Sequence, residues 1–272
     1  MSLMDEYLPR VRAYIDDRDW RDVPEMCGRS FTVAPLAQGE YNLNYCLSSA
    51  NGTRRVLRVN LDSQIARSDQ ITYEYQALRL LSDSGYTPRP YFVDDSRSRL
   101  DRGVLIMEFL PGEPRRHDRD LEAAAELFAG IHQVPVAPEQ NHLIVESAPL
   151  SLIFEECRGL LQHYCNSTLA DPEIRSYLRE LQDWADRARA AERFYQQDPW
   201  MCIVNTEVNS GNFLVDRTAG RIYLVDWEMP RWGDPSQDLC HFCSPLTTLW
   251  KTDYRMSART QRAFIEIGRA QV

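Results

Sequence analysis

Residues 205–216 read NTEVNSGNFLVD, and the run 223–228 that follows reads YLVDWE. Glu207 and Asn212 stand five positions apart on one polar stretch, which ends in the apolar pair Phe213-Leu214. Asp226 ends a second apolar run, Tyr223-Leu224-Val225. Short apolar runs of this kind are consistent with buried strands. The acid, the amide and the second acid are therefore expected where strands meet loops. Their oxygens are hard donors, the kind magnesium prefers.

Upstream, the pattern divides in two. Residues 5–17 carry Leu8, Val11, Tyr14 and Ile15 at helical spacing. Phe31 to Leu36, Tyr41 to Leu47 and Arg55 to Val59 are short β-rich runs, punctuated by Gln38-Gly39 and by Asn51-Gly52, a good hairpin signal. Residues 68–82 return to helical spacing, strands are expected near 91–93 and 104–109, and Pro111-Gly112 then breaks the chain. Beyond the break, 120–133 and 172–193 read as helices rich in Ala, Leu, Glu and Arg, with strand-like runs left only near 201–204, 212–216 and 221–225. The expected fold is α+β and two-lobed: a β-rich N-terminal lobe over 1–111, a hinge near 108–112, and a mainly helical C-terminal lobe over 112–272. Two lobes at a hinge form a cleft, the usual place for a ligand.

With 43% hydrophobic and 26% charged residues, the 272-residue chain has an ordinary globular composition. No apolar run approaches the roughly 20 residues of a membrane span, and the start MSLMDEYLPR lacks the basic and apolar regions of a signal peptide. The expectation is a cytoplasmic protein without membrane partners. Net charge −9 and the lack of a basic stripe argue against nucleic acid, while an acidic surface suits a cationic small substrate. The seven scattered cysteines do not form a disulfide framework, and Cys240-x-x-Cys243 reads as core thiols rather than a metal pair. Of the 31 basic residues, only Lys251 is lysine.

Phosphoryl transfer needs positioning and charge neutralisation more than covalent chemistry. Glu207 and Asn212 have the spacing of an acid and a metal-binding amide in a kinase catalytic loop, and Asp226 supplies a second metal ligand. Arg58 ends the strand Val56-Leu57-Arg58-Val59, where a phosphate-binding cation belongs, and Glu74 on the next helix can pair with it.

From about residue 31 to 245 the chain resembles the aminoglycoside phosphotransferase and choline kinase family, whose fold is that of a protein kinase. Asp226-Trp227-Glu228 with Gly233-Asp234-Pro235 and Asp238-Leu239 carries the likeness best, followed by Asn209 to Asp216. Leu36 to Asn42 is similar to the family's nucleotide-covering loop, through Gly39 and Asn42. Ile106 to Gly112 is similar to its hinge, where backbone groups of Met107, Glu108 and Phe109 hold the base. The resemblance implies ATP or GTP with Mg2+, and transfer to a hydroxyl of a small, amine-bearing metabolite or aminoglycoside. It also implies substrate specificity within 113–200, and further C-terminal helices in the usual family member, so that a chain ending at Val272 reads as shortened or truncated.

The departures are plain. The family's His-Gly-Asp is Asn205-Thr206-Glu207 here, and its lysine is Arg58. Glu207 reads either as the carboxylate that orients the acceptor or as a polar loop residue. Arg58 reads as a phosphate contact or a surface arginine, and Asn212 as a metal ligand or a turn residue. Asp234 and Asp238 read as braces of the catalytic loop, and His132 as a packed histidine. A kinase-like protein that binds nucleotide or metabolite without efficient turnover is the alternative function; no activation segment between Asp226 and Gly233 supports a protein kinase.

Overall fold

A computed structural model describes residues 2–249 and 252–270, leaving Lys251 outside the described residues. Helix α1 (Leu3–Asp17) opens on a capping box, in which Ser2 and Asp5 satisfy each other's backbone N–H groups. Five strands follow, β1 (Phe31–Gln38), β2 (Asn42–Ser49), β3 (Arg54–Asn60), β4 (Pro90–Asp94) and β5 (Gly103–Glu108), interrupted by helix α2 (Gln70–Leu81). They make one antiparallel sheet in the order β1-β2-β3-β5-β4. Asn51-Gly52 turns β2 into β3, with Gly52 at φ +83, a conformation that glycine adopts without steric cost. Pro35 lies on β1, an edge strand, where a missing N–H is tolerated.

The second half is mainly helical, with α3 (Leu121–His132), α4 (Pro149–Asn166), α5 (Pro172–Ala188), α6 (Arg193–Gln197), α7 (Ser236–Cys243), α8 (Pro245–Leu249) and α9 (Ala258–Ala270). Among them lie six short strands: β6 (Glu113–Pro114), β7 (Ile144–Val145), β8 (Cys202–Val204), β9 (Phe213–Asp216), β10 (Arg221–Leu224) and β11 (Arg231–Gly233). They form two three-stranded sheets, β10-β9-β6 and β7-β11-β8. The two-lobed α+β architecture expected from the sequence is therefore present. The differences are local. Helix α4 and strands β6, β7 and β11 carry no clear signal of their own, and the helix expected over 172–193 ends at Ala188 and continues as a 3-10 turn and α6.

The sheet separates two cores. One face packs with α1 around Tyr14, Trp20, Met26, Tyr45 and Leu57. The other packs with α2, and that core runs without a break into the helical half through Leu105, Met107, Phe128, Phe213 and Trp227. Gly112 makes the crossing possible: a Cβ there would meet the Val215 backbone at 3.0 Å. Directly after it, β6 pairs with β9, so the segment leaving the first sheet is stitched onto the strand that follows Asn212.

Phe128, Phe213, Phe242 and Phe264 form a buried aromatic group behind that strand, with ring centroids 4.6–6.0 Å apart. Such rings contribute through burial and through edge and offset contacts. Phe128 and Phe242 each touch all three others, and Phe242, with the shortest contact (4.6 Å to Phe264), is expected to be costly to truncate. Phe242→Ala should lose about 3–5 kcal/mol, read as a lower denaturation midpoint. A loss under about 1 kcal/mol would show that this group does not carry the helical half.

Candidate active site

Arg58 sits on β3 with its guanidinium buried between the two halves. Its Nη1 donates to Glu74 Oε1 on α2 (2.5 Å) and to Asp226 Oδ1 just past β10 (2.9 Å), while Nε donates to Asn44 Oδ1 on β2 (3.0 Å). Burial alone would weaken its hold on the proton, but Glu74, Asp226 and Glu228 outweigh that and push the group up. Arg58 is thus neither a surface residue nor a free cation.

Around it, Glu207, Asp226 and Glu228 bring carboxylate oxygens within 4.8 Å of one another. With Glu74, four carboxylates would face one guanidinium, a net charge of −3 if all ionised. Protons relieve the excess. Burial first, and then the Asp226 charge, raise the Glu207 carboxyl from its ordinary 4.5 to about 7, and the same two causes push Glu228 to about 8. Glu207 Oε2 is buried with no hydrogen-bond partner among the described residues. An orphaned carboxylate oxygen in a surplus of negative charge, lined by hard donors, fits a divalent cation.

The loop that carries Glu207 is held by backbone bonds. Asp238 on α7 accepts the N–H groups of Asn205 (3.0 and 3.1 Å) and Thr206 (2.8 Å), and His132 Nε2 lies 3.0 Å from its Oδ2. The packed histidine of the sequence reading therefore has a partner. Asp234 acts more locally, accepting the Ser236 N–H at 2.8 Å where α7 begins. Asn205 Oδ1 accepts the Glu207 N–H (3.0 Å), and its Nδ2 donates to the Asp226 carbonyl (2.9 Å), so one amide links the two acidic stretches. Asn212 Nδ2 donates to the Glu207 carbonyl (2.8 Å), which spans the five-residue spacing seen in the sequence.

Other expected residues take different places. Asn42 is buried, donating to Glu228 Oε2 and accepting from Asn60 Nδ2 (3.1 Å), so it ties the β1–β2 turn to that carboxylate. Gly39 lies in that β1–β2 turn, its N–H on the Asn42 carbonyl (2.9 Å). At the end of β5, Met107 is in the core, the Glu108 N–H donates to the Arg89 carbonyl (2.8 Å), and Phe109 lies under the Arg54 guanidinium (4.0 Å). Glu228 is the acid that the sequence reading left without a role. Its signal was the i, i+2 spacing from Asp226, which only the turn geometry turns inward. Gln70 Nε2 and Tyr73 hydroxyl, both on α2, donate to the Glu228 and Pro230 carbonyls (2.6 and 2.5 Å), pinning that helix to the acidic turn.

A cavity of about 540 Å3 opens beside the loop, with Gln64, Glu156, Thr206, Met229 and His241 on its walls. A larger one, about 620 Å3 between α4 and α5, is apolar and holds none of the carboxylates. No helix among the described residues is long and apolar enough to cross a membrane.

The model of the phosphotransferase enzyme family, APH, matches residues 32–269. The chain belongs to that family. Solved structures share its fold: an ethanolamine kinase from Plasmodium vivax (12% identity, 90% of this chain and 69% of that one, TM-score 0.64) and a macrolide 2′-phosphotransferase, MphH, from Brachybacterium faecium (15%, 98% and 83%, 0.61). An amicoumacin kinase in complex with AMP-PNP and Ca2+ is a further match (16%, 88% and 71%, 0.52). At these identities the likeness is one of fold.

Two outcomes follow. Because the Glu207 and Glu228 carboxyls hold protons more tightly folded than unfolded, the folded state binds more protons, and stability should fall as pH rises from the ordinary carboxylate range through about 7 and about 8. A divalent cation competes with those protons. The gap in melting temperature between Mg2+ and EDTA should therefore widen from pH 6 to about pH 8.5; a constant gap would remove the cation from this cluster. Thr206 sits at φ +68, a left-handed conformation costing a β-branched residue roughly 1–2 kcal/mol. Its Oγ1 repays part of that by donating to the Met229 carbonyl (2.8 Å). Thr206→Gly, losing both strain and bond, should be near neutral, while Thr206→Val keeps the strain and should cost about 1–3 kcal/mol. Equal losses would mean that the left-handed backbone costs threonine nothing here, and a Thr206→Val loss near zero would mean that the hydroxyl contributes nothing.

Proposed function

We propose that this chain transfers a phosphoryl group from ATP or GTP to a hydroxyl of a small, amine-bearing acceptor. The observation that carries this reading is the Glu207–Asp226–Glu228 cluster, with its orphaned Glu207 oxygen, beside a buried guanidinium. Asp226 and Asn212 would hold Mg2+, with Glu228 as a further carboxylate in reach. What the cation supplies when bound is neutralisation of charge on the transferring phosphoryl group.

The protein's own groups do the rest. Arg58, positioned by Glu74, faces the phosphates; exchange of its Asp226 contact for a phosphate oxygen would keep the guanidinium paired. Gly39 and Asn42 form the turn that covers the nucleotide, and the backbone at Met107, Glu108 and Phe109 receives the base through groups other than the Glu108 N–H, which the Arg89 carbonyl holds. Glu207 accepts the hydroxyl proton. A carboxyl poised at about 7 suits that task, since an effective general base titrates near the working pH. The acceptor would enter through the cavity beside Thr206, where Glu156 favours a cationic group. The reading places the protein in the cytoplasm, where nucleoside triphosphates are made.

A second reading, nucleotide binding without efficient turnover, is favoured by one observation: Arg58 is already neutralised by Glu74 and Asp226. The two separate in a screen of ATP and GTP against aminoglycosides, choline, amino sugars and amino alcohols with Mg2+. Transfer is expected, and Glu207→Gln should slow single-turnover phosphorylation by roughly 10²-fold or more with little change in nucleotide affinity. Asp226→Ala should abolish the Mg2+-dependent thermal stabilisation by nucleotide. Nucleotide binding with no transfer to any acceptor would favour the second reading, and an unchanged rate in Glu207→Gln would make its carboxylate a bystander.

A further inference from the structure

Arg115 leaves β6 and turns inward, where the chain could have sent a cation to solvent. The residue is 4% exposed, and its guanidinium lies over the rings of Phe242 (4.4 Å) and Phe213 (5.1 Å). Neither Nε nor Nη1 has a hydrogen-bond partner among the described residues. The acid that could have neutralised it is engaged elsewhere: Asp120 accepts Arg217 Nη1 and Nη2 (2.5 and 2.8 Å) and the Arg116 N–H (2.8 Å). Two residues on, His117 is 5% exposed and stacked on Tyr254, with centroids 5.0 Å apart, and its Nε2 is also without a partner. Burial, together with the Arg115 charge, pushes the His117 imidazole down to about 4 and leaves it neutral, while burial pushes the guanidinium itself down to about 10.

A buried guanidinium is expensive unless it is paired and hydrogen-bonded. The two phenylalanine faces offset part of that cost, but they leave the Nε and Nη1 donors unused. Aromatic contact is therefore an incomplete account of this residue. The missing component is a negative charge with several acceptor oxygens.

We propose that Arg115 and His117 form a binding site for a compact free oxyanion of the phosphate or sulfate class, sharing no residue with the carboxylate cluster. The guanidinium presents a planar set of donors that matches oxyanion geometry, and the nearby His117, close enough to feel the Arg115 charge, adds its unpartnered Nε2. With both residues so little exposed, the site admits the free anion and excludes a bulky ester. It adjoins the catalytic loop from behind, because the Arg115 N–H donates to the carbonyl of Phe213 (3.1 Å), the residue after Asn212.

The test is thermal denaturation of the full chain, titrated with inorganic phosphate or sulfate at ionic strength held constant with chloride. A saturable rise in melting temperature is expected for both oxyanions, as for any ligand that binds only the folded state. Glycerol phosphate should be at least tenfold weaker. Arg115→Met, which keeps much of the length and loses the charge, should abolish the rise and melt no lower than the parent in chloride alone. His117→Gln, tested alongside in case Arg115→Met does not fold, should weaken phosphate at least tenfold. In the parent, phosphate should move the His117 ring signals in an NMR titration. No response to phosphate beyond chloride would overturn the proposal. So would an unaltered response in the folded variants, since the anion would then bind elsewhere, or equal binding of glycerol phosphate.

Discussion

Arg58 carries its guanidinium from the central strand of the first sheet into a space shared with α2 and with the turn after β10, and each of those elements meets it with a carboxylate. A charge buried to this degree is tolerable only while paired and hydrogen-bonded, and removing one partner of such a pair is strongly destabilising. The interaction therefore constrains three elements at once: β3 must present residue 58 inward, α2 must keep Glu74 against the sheet, and the Asp226 turn must close on both. The uninterrupted core beneath, through Leu105, Met107, Phe128 and Phe213, fixes the spacing at which this can happen.

A surplus of negative charge is the consequence. One guanidinium cannot neutralise Glu74, Asp226, Glu207 and Glu228 together, and the site answers by holding protons on Glu207 and Glu228. The same surplus makes it receptive to a divalent cation. Crowded, partly buried carboxylates cost stability, so this cluster, with Glu228 buried and Glu207 and Asp226 half-buried, points to chemistry rather than to folding.

By the sequence resemblance, Asn205-Thr206-Glu207 stands where the family has His-Gly-Asp, and in this chain the loop is held by its own set of restraints. Asn205 occupies the place of the family's histidine, and its side-chain amide bridges the Glu207 N–H and the Asp226 carbonyl. Thr206 occupies the place of a glycine and retains a left-handed backbone that suits glycine better, held by Asp238 on its N–H, by His241 Nδ1 on its carbonyl (2.8 Å) and by its own hydroxyl. The extra methylene of Glu207 is accommodated in a loop whose backbone is set by these bonds.

By itself the sequence determined the class of fold and the order of its parts, because period-2 and helical spacings, Asn51-Gly52 and Pro111-Gly112 are local signals that need no partner. It also singled out Glu207, Asn212, Asp226, Arg58 and Glu74, because an acid and an amide at fixed spacing, or a cation on a strand, are legible as chemistry. What it could not contain was the company those residues keep. Helix α4 is too mixed, and strands β6, β7 and β11 too short, to show a period, and those strands exist through pairing with distant segments. Glu228 became a site residue only when the turn after β10 aimed it beside Asp226, and Asn42 became its support, and Asn44 that of Arg58, only through strand register. Charge surplus, burial and an orphaned oxygen are properties of groups brought together from five elements. They arise from desolvation and Coulomb interaction over a few ångströms, which sequence separation does not encode.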